Sequence, residues 1–112
     1  MFINAWDMAR LGYLYLRNGR WEDRQIMPVE WITMASTPGP ANPGYGYMNW
    51  FLNTGKKMLP SAPERAVAFL GNGTNAIYVD WDNDLVVVVR WLGGGNPALD
   101  GVVSRVLAAL PK

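Results

Sequence analysis

A serine that attacks an acyl carbon needs a neighbour to take its proton, and this chain carries serine at only three positions, Ser36, Ser61 and Ser104. Histidine is absent, so a Ser-His-Asp triad cannot be completed within the chain. Cysteine is absent too, which removes disulfides and thiolate chemistry and leaves any zinc site to carboxylates alone. Among the acids, Asp7, Glu22, Asp23, Glu30 and Glu64 make no pair at a spacing that demands acid–base work. Asp80, Asp82 and Asp84 alternate as calcium ligands do. They lack the central glycine and the terminal bidentate Glu of a calcium loop, and with Asn83 they read as a turn. The expectation is therefore no metal and no cofactor.

Composition narrows the class further. Half of the 112 residues are hydrophobic, 17% are charged, and the net charge is +1, which describes one folded unit rather than a disordered tail. The basic residues, from Arg10 to Lys112, are scattered, with no stripe to neutralise phosphates, so no nucleic-acid partner is expected. No stretch reaches the roughly twenty apolar residues of a membrane span. The opening Met1–Asp7 lacks the basic start and long apolar run of a signal peptide, and the compartment stays unknown. The aromatics Trp6, Trp31, Trp50, Trp81 and Trp91 lie at the faces or ends of elements, where core packing accounts for them better than a sugar platform does.

The elements that would position any site read as α+β. Apolar spacing predicts a helix from Asn4 to about Asn18, with Met8, Leu11, Leu14 and Tyr15 inward and Asn18-Gly19 as a left-handed stop. A tight polar turn, Arg20–Ile26, leads to a second helix with Pro28 in its first turn and Trp31, Ile32, Met34 and Ala35 as its stripe. Thr37–Gly44 is a Pro- and Gly-rich loop. Strands follow at Gly46–Leu52, Ala66–Leu70, Ala76–Trp81 and Leu85–Leu92, with a second loop over Lys56–Glu64 and a hairpin turn at Asp82-Asn83-Asp84. Leu85–Val89 is apolar at every position, so both of its faces should be covered. Pro97 opens a last helix to about Leu110, with Val102, Val103, Val106, Leu107 and Leu110 inward. An antiparallel sheet of about four strands thus carries two N-terminal helices and a C-terminal helix. The expected unit spans residues 1–112, divided as helical 1–36, strands 45–92 and helix 97–110.

These segments carry a resemblance. Asp7–Trp21 followed by Ile26–Ile32 resembles the late helical segment of β-lactamase-like serine hydrolases, the family of class C β-lactamases and penicillin-binding-protein-type esterases. Gly44–Tyr47, Phe69–Asp80 and Asp84–Val89 are similar to its last strands. The likeness covers nearly the whole chain but only about the last third of a family member. It implies a partial β-lactamase-like fold whose chemistry uses Ser-x-x-Lys, Tyr-x-Asn or Ser-x-Asn, and Lys-Thr-Gly. Three residues beyond the serines stand Gly39, Glu64 and Leu107, so Ser-x-x-Lys is missing. Tyr47-Met48-Asn49 fits Tyr-x-Asn as a string, but it follows the helix that it precedes in the family, and it reads as part of a strand.

The resemblance aligns Phe69-Leu70-Gly71 with Lys-Thr-Gly, with Gly71-Asn72-Gly73 as an alternative register. Phe69, Leu70, Gly71, Asn72 and Gly73 then form a candidate active-site wall, with the Asn72 N–H as an oxyanion donor. Phe69 in place of a cation leans toward a neutral ester or amide as the small-molecule substrate. Two readings follow: a C-terminal hydrolase segment, inactive alone, whose partner is the N-terminal catalytic segment, or a non-catalytic module that self-associates as a homo-oligomer.

Overall fold

The computed structural model describes residues 2–47 and 50–112. Asn4 begins the first helix: its side-chain oxygen accepts the Asp7 N–H at 2.8 Å, taking one of the donors that a helix start leaves unpaired. Helix α1 spans Ala5–Leu16. Beyond it Asn18 and Gly19 are both left-handed, with φ of 54° and 85°, and the Gly19 N–H reaches back to the Leu14 carbonyl at 2.8 Å. The buried line is Met8, Gly12, Tyr15 and Leu16, whereas the expected Leu11 is exposed and Leu14 half-buried. Gly12 is the reason. Having no side chain, it lets the helix press on the sheet along its own line, and an apolar count passes over it.

The polar turn is a miniature hairpin, with β1 at Arg20–Trp21 pairing β2 at Arg24–Gln25. Trp21 meets Tyr13 of α1 edge-on, ring centroids 5.6 Å apart, which holds this hairpin to the helix. Helix α2 is Val29–Ala35. Pro28 precedes it as the N-cap, at ψ 140°, rather than sitting in its first turn. Ile32 and Ala35 are buried, Trp31 is half-buried and Met34 is exposed, because a helix this short turns only one narrow edge inward.

Four antiparallel strands form the sheet in the order β3-β4-β5-β6: β3 Trp50–Leu52, β4 Val67–Gly71, β5 Asn75–Asp80 and β6 Leu85–Val89. Of the strand expected over Gly46–Leu52, Trp50–Leu52 is strand and Gly46 and Tyr47 are not, with one isolated bridge between Tyr45 and Phe51. Met48, Asn49 and the Trp50 side chain lie outside the described residues, so the Tyr47-x-Asn49 string does too. Helix α3 spans Gly95–Ala109 and starts two residues before Pro97.

Strand alternation sorts the core into two layers. Val67, Ile77 and Val79, with Val86 and Val88, face α1 and α2, packing on Met8, Tyr15, Leu16, Ile32 and Ala35. Ala76 and Tyr78, with Leu85, Val87 and Val89, face α3 through Leu99 and Val103. Each large side chain buried this way contributes about 1.5–3 kcal/mol. In α3, Leu99 joins Val103 as the fully buried pair, and Val102, Val106, Leu107 and Leu110 are only half-buried. Strand β6 has a helix on each face, as expected, yet all five of its residues stay half-exposed because it is an edge strand.

Between β3 and β4 the chain folds around Asn53, which is fully buried. Its amide donates to the Leu59 and Pro63 carbonyls at 2.9 and 3.0 Å and its oxygen accepts the Leu59 N–H at 2.8 Å, so the loop is organised by one saturated side chain. A single 3-10 turn, Thr54–Lys56, lies within it. Two tryptophans expected in the core are on the surface, Trp6 at 75% and Trp91 at 68% exposure. Both stand at element ends, where no second layer covers them.

Candidate functional site

Phe69 and Leu70 leave β4 on opposite faces. Phe69 packs edge-on against Tyr15 of α1, centroids 5.2 Å apart, as part of the core on that side. Leu70 joins the layer under α3. Gly71 and Asn72 are exposed at the strand end, while Gly73 in the turn to β5 is half-buried, as Phe69 and Leu70 are. The five candidates are therefore contiguous in the chain but split in space into two packing residues and a short run of accessible backbone.

That backbone is held in place by residues outside the candidate set. The Asn75 amide donates to the Asn72 carbonyl at 2.6 Å while its oxygen accepts the Trp91 N–H at 3.1 Å. The Gly93 N–H reaches the Gly73 carbonyl at 3.0 Å, and the Gly95 N–H reaches the Thr74 hydroxyl at 3.0 Å. The turn is thus clasped to the end of β6 and the start of α3. Among the described residues the Asn72 N–H has no acceptor. Sequence reasoning passed over Thr74, Asn75 and Trp91; the one signal for them was their nearness to glycines, since no local pattern tells which strand end a turn will meet.

Gly73 has a specific need to be glycine. Its φ is +81°, and a Cβ there would stand 2.5 and 2.7 Å from two ring carbons of Trp91. Gly73→Ala is expected to lose about 2 kcal/mol, combining the left-handed penalty with displacement of the indole. Urea unfolding and Trp91 emission would check it; unchanged values in both would show that the indole does not rest on this glycine.

The three aspartates after β5 go separate ways. Asp80 is fully buried and accepts the Tyr78 hydroxyl at 2.7 Å, the Asn83 amide at 2.8 Å, and the Asp82 and Asn83 N–H groups at 3.0 and 3.1 Å. Burial is the first cause that pushes the Tyr78 phenol well above its ordinary range, with the Asp80 hydrogen bond second. Asp82 pairs with Arg65 at 3.0 Å. Asp84 takes Arg17 at the end of α1 as a two-pronged partner, and that hydrogen bond lowers the Asp84 carboxyl below the usual range. Their carboxylates serve a turn and two ion pairs. Glu64 and Asp7 are likewise occupied, by the Gly55 N–H at 2.8 Å and by Arg10 at 2.7 Å.

No family model matches the chain, and no curated protein matches it. Among solved structures it is similar to one named "Putative 6-aminohexanoate-dimer hydrolase from Bacillus anthracis", with a TM-score of 0.64 and 22% sequence identity. The match covers 96% of this chain and 30% of that one. The likeness is one of fold: the α+β arrangement seen here matches part of that protein, and the chain spans about 30% of its length.

Proposed function

We propose that this chain is the C-terminal segment of a β-lactamase-like serine hydrolase, a single unit that supplies the last active-site strand and is inactive alone. The observation that carries the reading is the pairing of that partial match with an unfinished sheet. Strand β6, Leu85–Val89, is wholly apolar, and among the described residues no strand pairs with its outer edge. Such an edge is an aggregation hazard unless something covers it. The absence of Ser-x-x-Lys agrees with a nucleophile supplied from elsewhere.

In the assembled enzyme a serine on the partner segment gives up its proton to the partner's base and bonds to the acyl carbon of an ester or amide. The Asn72 N–H, with the nucleophile's own N–H, holds the resulting oxyanion. The leaving alcohol or amine departs with a proton, and water then cleaves the acyl-enzyme. In this chain Gly71 keeps the approach to the strand open, and Asn75 fixes the turn through Asn72.

Mixing the folded chain with the segment encoded immediately upstream should raise hydrolysis of p-nitrophenyl acetate at least ~100-fold over either part, on the order of one oxyanion donor's worth. A verified complex with no gain would overturn the reading. The open β6 edge also favours self-association when the chain is alone; a second-copy dimer that remains catalytically silent and refuses the upstream segment would favour the interaction module instead.

A further inference from the structure

Beside the clasped turn lies an open hollow of about 640 Å³. Phe2, Ile3 and Met8 line it together with Asn75, Arg90 and Trp91. Its polar lining is mostly spent. Both ends of the Asn75 amide are engaged, and the Asn4 oxygen caps α1. Arg90 is different: it is the one charged residue in this lining, and among the described residues its guanidinium has neither hydrogen bond nor ion pair. By contrast Arg10, Arg17 and Arg65 each hold a carboxylate.

The neighbouring residue adds an independent observation. Trp91 has a left-handed φ of 53°, uncommon for so bulky a side chain, and it leaves its indole 68% exposed. Two contacts hold it so: its N–H on Asn75 at 3.1 Å and its ring over Gly73. Among the described non-glycine residues with a left-handed φ, Trp91 is the aromatic one, and it stands next to an unpaired cation. A planar guanidinium matches a carboxylate through two parallel hydrogen bonds, and an aromatic face takes an apolar body.

We propose that Arg90 and Trp91 bind the carboxylate and apolar part of a small organic acid, so that the ester or amide hydrolysed beside Asn72 is an anionic one. The second half of this rests on the hydrolase reading; the binding does not. It also revises the inference drawn from Phe69: that residue leaves β4 without a cation, but Arg90 places one at the end of β6, joined to the same turn through Asn75 and Trp91.

Titrating the ¹⁵N-labelled chain with phenylacetate, and separately with the neutral isostere phenylacetamide, tests it by NMR. Phenylacetate should move the Trp91 indole and Arg90 Nε–H signals saturably and bind at least ~10-fold more tightly than the amide, the preference expected of a charge-assisted fork. Arg90→Gln should erase the preference, and Arg90→Lys should keep only part of it. Equal affinities for the two compounds, or a preference that survives Arg90→Gln, would overturn the proposal. Phenylacetate binding together with a silent reconstituted hydrolase would count against the hydrolase reading alone.

Discussion

Asp80→Ala is expected to lower the free energy of unfolding by about 4 kcal/mol, through a buried acceptor whose donors then have nowhere to go. The Tyr78 hydroxyl is the most affected: it sits in a fully buried residue and its partner is Asp80 at 2.7 Å. The Asp82 and Asn83 N–H groups, at 3.0 and 3.1 Å, lose the acceptor that sets the β5–β6 turn, although water can reach them in part. A loss of this size is a large fraction of the roughly 5–15 kcal/mol that holds a domain together. A melting shift on the order of 15 °C follows. The asymmetry between breaking one side of a buried pair and removing both supplies the control. Tyr78→Phe alone should lose about 1 kcal/mol, yet in the Asp80→Ala background it should be neutral or restore some stability. Simple additivity in that cycle, measured by urea unfolding, would mean the hydroxyl finds water when Asp80 is gone and the buried pair is not a unit.

Asp80 also shows where reading the sequence stops. The run Asp82–Asp84 was legible as a turn because its residue types favour turns whatever surrounds them, and the valines after it were legible as a strand with a layer on each side. Both features are local. That Asp80 is buried while Asp84 reaches back to Arg17, 67 positions away, depends on which face the sheet gives to α1, and no spacing within the segment encodes that. The same limit explains Trp6 and Trp91, assigned to core packing from their places at the faces or ends of elements although the fold leaves them in water. Apolar residues are common on surfaces, so burial follows from the neighbours a position acquires rather than from its type. For the candidate site, Phe69–Gly73 was found through resemblance, and the placing of Phe69 and Leu70 on opposite faces of the sheet came from strand alternation once the ends of β4 were known. The clasp by Asn75 and Trp91 was out of reach, being made between the starts and ends of different strands.

Gly12 is the clearest case of a residue invisible to an apolar pattern and central to the packing. A Cβ at this position in the middle of α1 would stand 2.7 Å from a Val86 methyl and 2.8 Å from an Ile77 methyl, closer than carbon atoms pack. Helix α1 is therefore seated on β5 and β6 at a distance that only glycine permits. In isolation glycine is a poor choice there, less favourable than alanine by about 1 kcal/mol. Its presence argues that the close approach contributes more than the helix loses. Gly12→Val should lower stability by about 3 kcal/mol, from overpacking against two methyls that belong to strands and cannot retreat far. Gly12→Ala should lower stability by about 1 kcal/mol, since the same collision, on a smaller scale, outweighs its helical gain. Val86→Ala opens space at the nearer methyl, so in the Gly12→Val background it should recover part of the loss, while in the parent it should itself destabilise by leaving a void. Chemical denaturation of the parent and these four variants decides it. A Gly12→Val protein as stable as the parent, or a Val86→Ala change that destabilises equally in both backgrounds, would mean that α1 rides further from the sheet than its present seat and that Gly12 does not set its height.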